Sequence, residues 1–469
     1  LSSSFSKLND KEKSNLQIKV QEINTKYRTI KTKIPTPESS KILEKAYKLE
    51  SRSMHGQMPI VWDKAKDFQV YDAQGNCWID FTSTIFVTNA GHGNSRITQA
   101  VENILKKPLL HTYTYMSEAR YEYLKLLIEK TPANFEKVFM VSAGTEATEC
   151  ALKLMRENAI KIGKKKRGII CIEGNWHGRT MGAQMMGWNP DQESWIGYHD
   201  PNIYHIQFPY PWRRNAIENP RQFFKDSIAA LCEKNNIDPY HDICGFMLET
   251  FQGWGAFFYP NEYIQALSEF AEEHNILVTF DEMQSGFGRT GKLFGYMHYD
   301  IEPDLLCCGK GASSGFPLAL VLGSSELLDL PSVGSMSSTH SANPIVCAAG
   351  KANLECLYID GLLDKSRIMG DKFHEKLQDM ANSFPSHIQS VQGKGLLAAI
   401  IFKDKNDEPL IDLCNRVSEL CMQRGLLVVH TGRESIKLAP PFTINEEALS
   451  EGITVLRQSI SEVIGAYQS

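Results

Sequence analysis

Five apolar runs in this chain each end on residues able to do chemistry. After VFMV (138–141) come Ser142, Ala143, Gly144, Thr145 and Glu146, opening a helical pattern. After GIICIE (168–173) comes a glycine-rich loop carrying Trp176 and His177. GFMLE (245–249) ends on Glu249, ILVTF (276–280) is followed by Asp281, Glu282, Met283 and Gln284, and DLLCC (304–308) by Gly309 and Lys310. A helix start of small residues presents free backbone N–H groups and suits a phosphate. Trp176 can lie flat on a planar ring, Asp281 can pair with a protonated ring nitrogen, and Lys310 can form a Schiff base with an aldehyde. Singly, each has a plainer alternative: an ordinary N-cap, a packed tryptophan, an aspartate capping the next turn, a loop lysine. Together they describe a planar phosphorylated aldehyde with a protonated ring nitrogen, pyridoxal 5′-phosphate.

The elements that must position these residues follow from the apolar pattern. From about 95 to 345, short apolar strands alternate with amphipathic segments such as 145–163 and 261–275. Continuous apolar strands between helices predict an α/β fold with a mostly parallel sheet covered on both faces. In such a sheet ligands bind beyond the carboxyl ends of the strands, where all five groups fall. VWDKAKDFQVYDAQGNCWIDF (61–81) alternates around a turn at Ala73–Gly75 and predicts a hairpin. The boundaries read as an N-terminal arm and hairpin segment over 1–94, a large domain over 95–345 and a smaller α+β domain over 346–469. Pro35 and Pro37 are expected to break the weak helical periodicity of the arm.

Composition excludes several classes. The 469 residues are 42% hydrophobic and 22% charged, ordinary for a globular protein, and the net charge of -5 points to no nucleic acid or other polyanion. The basic run Lys164–Arg167 reads as a solvated loop. Eleven cysteines without CxxC spacing, several inside apolar runs, predict reduced buried thiols, no zinc site and a cytoplasmic location. No apolar run reaches the length of a membrane span, and the first residues carry no apolar signal core.

The order SAGTEA, NWHGRT, FDEMQSGFGRTG, GKG and STHSANP resembles the class III (omega) aminotransferases of pyridoxal-phosphate fold type I, from about Met58 to about Thr454. The resemblance implies a large domain with a seven-stranded sheet and a smaller C-terminal α+β domain. It implies that Lys310 holds the cofactor and moves the Cα proton, and that Asp281 keeps the pyridine nitrogen protonated. Trp176 would stack on one ring face and Met283 press on the other, where Val or Ile is more usual; Gln284 would contact the ring hydroxyl. Gly144 and Thr145 match the phosphate cradle, and His177 and Glu249 are assigned to the cofactor as well. Thr339, assisted by Ser338, would reach the phosphate of a neighbouring subunit, which makes the enzyme a homodimer with shared sites.

Two positions depart from the family pattern. Where glutamate-using members carry EPIQGEGG, this chain has Glu249-Thr250-Phe251-Gln252-Gly253-Trp254, with Trp254 in place of the second glutamate. Where an arginine precedes an APP motif, it has Lys437. Two readings follow: Lys437 or Arg433 binds an acidic group of the substrate as a cation, or Trp254 walls the pocket and the amino donor carries a bulky or apolar body. Ile85 falls where ornithine-using relatives carry a tyrosine, against ornithine as donor. The expected reaction is ping-pong transfer of an amino group from a primary amine or amino acid, of omega-amino type, to a 2-oxo acid or aldehyde. Aminomutases, racemases and decarboxylases on the same scaffold are the alternative.

Overall fold

The computed structural model describes residues 21–56 and 58–468. The start of the N-terminal arm, residues 1–20, lies outside the described residues. The chain divides into two compact units. One takes the described residues up to Asn94, Trp254–Ala256 and those from Leu362 onward; the other takes Ser95–Gly253 and Phe257–Gly361.

The second unit is built on a seven-stranded sheet. Its strands are β1 (Lys137–Val141), β2 (Gly168–Ile172), β3 (Ile203–Ile206), β4 (Ile243–Glu249), β5 (Leu277–Asp281), β6 (Leu305–Cys308) and β7 (Ala319–Gly323). Their spatial order is β1-β7-β6-β5-β4-β2-β3. β7 runs antiparallel to both neighbours and the remaining pairs are parallel. Every residue of β2, β4, β6 and β7 is buried, as a sheet covered on both faces requires. Helices α1 (Gly144–Lys161), α2 (Pro220–Asn235), α3 (Asn261–Glu273) and α4 (Pro344–Tyr358) belong to this unit. Ala147, Leu154 and Met155 of α1 join Ile169, Met247, Cys307 and Val321 in one apolar core. Edge strand β3, IYHI, is absent from the sequence reading. It alternates neither cleanly nor for long, and its pairing with β2 makes it a strand.

In the first unit the expected hairpin is present. Gln69–Tyr71 pairs antiparallel with Cys77–Asp80 around a turn in which Asp72 Oδ1 accepts from the N–H groups of Gln74 and Asn76. Pro37 does the opposite of what the sequence suggested. It opens a helix over Pro37–Ala46, capped by Thr36 Oγ1 accepting from Ser39 N–H at 3.0 Å. At the first helical position proline lacks only an N–H that has no helical partner anyway. A four-stranded antiparallel sheet, ordered Ile388–Lys394, Leu397–Phe402, Ser435–Leu438, Val429–His430, lies in the same unit as the helices Leu362–Asn382, Ile411–Gln423 and Glu446–Gln468. All eleven cysteines are free, most of them buried. Among the described residues no helix is long and apolar enough to cross a membrane.

Candidate active site

Parallel pairing of β4, β5 and β6 brings Glu249, Asp281 and Cys307 into line across the sheet, three residues before Lys310. The reactive groups therefore share one sheet edge by register. Lys310 begins a single tight turn, Lys310–Ala312, at φ +37°, a left-handed conformation that costs a side-chain-bearing residue free energy. The turn is held from outside. Gly309 O accepts from Ala312 N–H at 2.8 Å, and Asn353 Nδ2 of α4 donates to the carbonyls of Gly311 and Ala312. Burial pushes the Lys310 ammonium below the ordinary lysine range, with the nearby Asp281 and Glu249 opposing that shift.

Asp281 is buried and already oriented. Its Oδ1 accepts from Met283 N–H and its Oδ2 from His177 Nδ1, each at 2.9 Å. His177 therefore carries a proton on Nδ1, and its buried Nε2 has no hydrogen-bond partner among the described residues. Glu249 ties three loops together: Oε2 accepts from Trp176 N–H (3.1 Å) and Gly253 N–H (3.2 Å), and Oε1 from Gln284 Nε2 (3.1 Å). Trp176 is 40% exposed, and the Arg179 guanidinium lies 4.5 Å from its ring centroid. Met283 fills the space behind two glycines. A Cβ on Gly144 would stand 2.8 Å from its Sδ and one on Gly309 2.5 Å, so a side chain at either position would displace Met283.

At the start of α1, Glu146 Oε2 accepts from Ser142 N–H (2.7 Å) and Ala143 N–H (3.1 Å). This role escaped the sequence reading, although a glutamate at the third helical position is its known signal. It occupies the donors before the helix, while the N–H groups of Gly144 and Thr145 lie in the first turn, where no helical acceptor exists. Thr145 Oγ1 is within 2.6 Å of Thr180 Oγ1, which donates to Glu149 Oε1. Ser338 Oγ reaches Glu146 Oε2 at 3.5 Å, and the exposed Thr339 accepts at its carbonyl from His111 Nε2 at 2.8 Å.

Glu282, also overlooked in the sequence, is the anchor of the loop after β5. Its buried carboxylate accepts from Thr250 Oγ1, Ser285 Oγ, Gly295 N–H and Tyr296 N–H. Burial pushes its pKa up, against those four donors. Glu282→Ala strands four donors in a dry environment and is expected to destabilise the protein by at least about 3 kcal/mol, at about 1–3 kcal/mol per buried unsatisfied group with partial relaxation. Denaturant unfolding checks this; a loss below about 1 kcal/mol would contradict the assigned role.

The four positions assigned to the substrate lie in the other unit. Ser83, Thr84, Ile85 and Phe86 form a left-handed turn, with φ of +46°, +52°, +64° and +69°. Such backbone costs about 1–2 kcal/mol for each non-glycine residue. Ser83 Oγ donating to Ala439 O (2.6 Å), with Phe86 N–H to Thr82 O and Val87 N–H to Ser83 O, offsets it. Ile85 is thereby held 49% exposed while Phe86 is buried. Lys437 is only 3% exposed, its Nζ 4.3 Å from the Phe86 ring centroid. The Arg433 guanidinium lies 3.8 Å from the centroid of Trp254 and hydrogen-bonds Glu434, whose oxygens are 3.3 Å from Nε and Nη2.

The donor set at the sheet edge fits a pyridoxal phosphate: a half-buried lysine, an oriented buried aspartate one strand away, an aromatic on a bonded loop and a helix start. Comparison with known proteins agrees. The Aminotransferase class-III family description matches residues 51–460. The 4-aminobutyrate aminotransferase of Escherichia coli is 31% identical, over 86% of this chain and 94% of its own length. A mitochondrial acetylornithine aminotransferase of Candida glabrata is 29% identical, over 82% of this chain and 86% of its own. The crystal structure of an (S)-enantioselective omega-transaminase from Thermomicrobium roseum superposes with a TM-score of 0.81 at 26% identity, covering 89% of this chain and 97% of that one.

Proposed function

The chain belongs to the class-III aminotransferases, pyridoxal-phosphate-dependent transaminases, and from that premise we propose how its residues divide the work and which donors it takes. When bound, the cofactor supplies the aldehyde that exchanges nitrogen and the ring that takes up the electron pair released at the donor carbon. Lys310 Nζ would hold the cofactor and, as a neutral amine, would take the proton from the donor carbon and return it. Its lowered pKa suits that task, because only the neutral amine is a base. Asp281, aligned by His177 and Met283 N–H, would hold the proton on the ring nitrogen. Gly144 and Thr145 N–H groups would receive the phosphate, Trp176 and Met283 would flank the ring, and Gln284, fixed by Glu249, would meet the ring hydroxyl. The observation that carries this assignment is the alignment of Glu249, Asp281 and the strand leading to Lys310 at one sheet edge.

The donor is an amine with an apolar body. Both cations that could hold a second carboxylate are engaged, Arg433 on Trp254 and Glu434, and Lys437 buried over Phe86. The acceptor is a 2-oxo acid. A homodimer with shared sites is favoured by an exposed apolar stretch that includes Leu109, Leu110, Tyr115 and Met116, joined through His111 to Thr339. Eleven free thiols suit a reducing compartment such as the cytoplasm.

Conversion of the cofactor to its amine form by donor alone, reversed by a 2-oxo acid, is the test that separates transfer from racemisation or decarboxylation. Trp254→Glu removes the ring on which Arg433 lies and with it the apolar wall offered to an aryl donor. It is expected to shift the ratio of kcat/KM for aryl amines over glutamate at least tenfold toward glutamate, with cofactor affinity changing less. An equal loss for all donors contradicts this.

A further inference from the structure

β5 and β6 run parallel and carry Asp281 and the approach to Lys310 at their carboxyl ends. At their amino ends lies a cavity of about 760 Å³, within the size range of small-molecule sites. All of its lining residues belong to the unit that holds the sheet. Its wall carries charges of both signs, Lys164 just beyond α1 and Asp304 just before β6. The run Lys164–Arg167 reads as a solvated loop, yet Lys164 is half-buried. Its Nζ donates to Tyr240 O and His274 O, each at 2.6 Å, and lies 5.3 Å from the Tyr240 ring centroid. An ammonium has three N–H donors, so one remains. Asp304 is half-buried too, fixed by its Oδ2 accepting from Val278 N–H at 2.7 Å.

Among the described residues neither of the two forms an ion pair. Burial moves each away from its charged form, Lys164 down and Asp304 up. Each is tied to backbone groups and not to the other, and a partly buried charge without a counter-ion is costly. Both costs are relieved by one ligand that brings an anion to Lys164 and a cation to Asp304. Glu272 and Glu302 on the same wall add to the attraction for a cation. His241 is already engaged, its Nδ1 2.5 Å from Asp238 Oδ2. A ligand that is only cationic meets Lys164, and one that is only anionic meets three carboxylates.

We propose that this cavity is a second ligand site, for a zwitterion of amino-acid size whose carboxylate is received by Lys164 Nζ and whose ammonium is received by Asp304. The proposal does not depend on the aminotransferase reading, because neither residue belongs to the site at the carboxyl ends of the strands.

The test titrates cofactor-loaded protein with 4-(dimethylamino)butyrate by calorimetry. This probe carries one carboxylate and one tertiary ammonium, and a tertiary amine cannot form a Schiff base. Butyrate and N,N-dimethylpropylamine carry the same two charges singly. The wild type is expected to bind the zwitterion at least tenfold more tightly than either. Lys164→Gln keeps an N–H donor for the two carbonyls, and Asp304→Asn keeps an acceptor for Val278 N–H. Each should weaken the zwitterion at least tenfold, as loss of one partner of a charge pair does, and change kcat/KM for an amino donor less than twofold. Should one variant fail to fold, the other variant and the three probes on the wild type decide. Absence of binding at millimolar concentration, equal affinity for the singly charged probes, or binding untouched by both substitutions overturns the proposal.

Discussion

Lys310→Ala is expected to lower the rate of amino transfer at least about 10³-fold, the range seen when a positioned proton carrier is removed. Lys310 stands at a strained φ on a turn held by Asn353, so alanine there meets the same backbone demand and the fold should survive. The variant should therefore unfold at nearly the wild-type denaturant midpoint while losing its activity, and added methylamine should restore part of the rate. In the wild type, burial holds the lysine below its ordinary range. A group that must be neutral to act gives a rate that climbs with pH and levels once the proton has left. The plateau is therefore expected at lower pH than a solvent-exposed lysine would give. Single-turnover rates across pH check this, and a rate still rising through the ordinary lysine range contradicts it.

Asp281→Asn is expected to cost about 10²–10³-fold in kcat, comparable to removing one preorganised electrostatic contact from an active site. The change is small in shape and large in charge. Asparagine can still accept from Met283 N–H through its carbonyl oxygen, but its NH₂ would then face His177 Nδ1–H, donor against donor. The negative charge proposed to keep the ring nitrogen protonated is also gone. Cofactor uptake should fall less than turnover, because the donors at the start of α1 are untouched. Equal loss in both, measured by cofactor titration and by half-reaction rates, would show that Asp281 only holds the site together.

Much of this arrangement is legible in the chain because the relevant signals are local. Apolar runs ending in Glu249, Asp281 and the Gly309–Lys310 pair read as strands with polar mouths, and the structure places those ends in register. The residues that escaped are those whose surroundings come from distant segments. Glu282 draws donors from 250, 285, 295 and 296. Lys164 reads as one charge of a solvated run, and only the carbonyls of Tyr240 and His274 fix it on the wall that Asp304 shares. Nothing in the string Thr82–Phe86 announces a left-handed turn, since β-branched residues there favour extended backbone; the bond from Ser83 to Ala439 imposes it. Pro37 misled because proline marks a helix start as readily as a break, and only the Thr36 cap tells the two apart.

The central claim is that the side chain of Lys310 carries the cofactor. Purified protein loaded with pyridoxal 5′-phosphate, treated with borohydride and mapped by peptide mass spectrometry, tests it directly. One pyridoxyl phosphate mass per chain, confined to the peptide containing Lys310 and lost in Lys310→Ala, is the predicted result. No stable addition, or addition spread over other lysines with position 310 unmodified, would contradict the account.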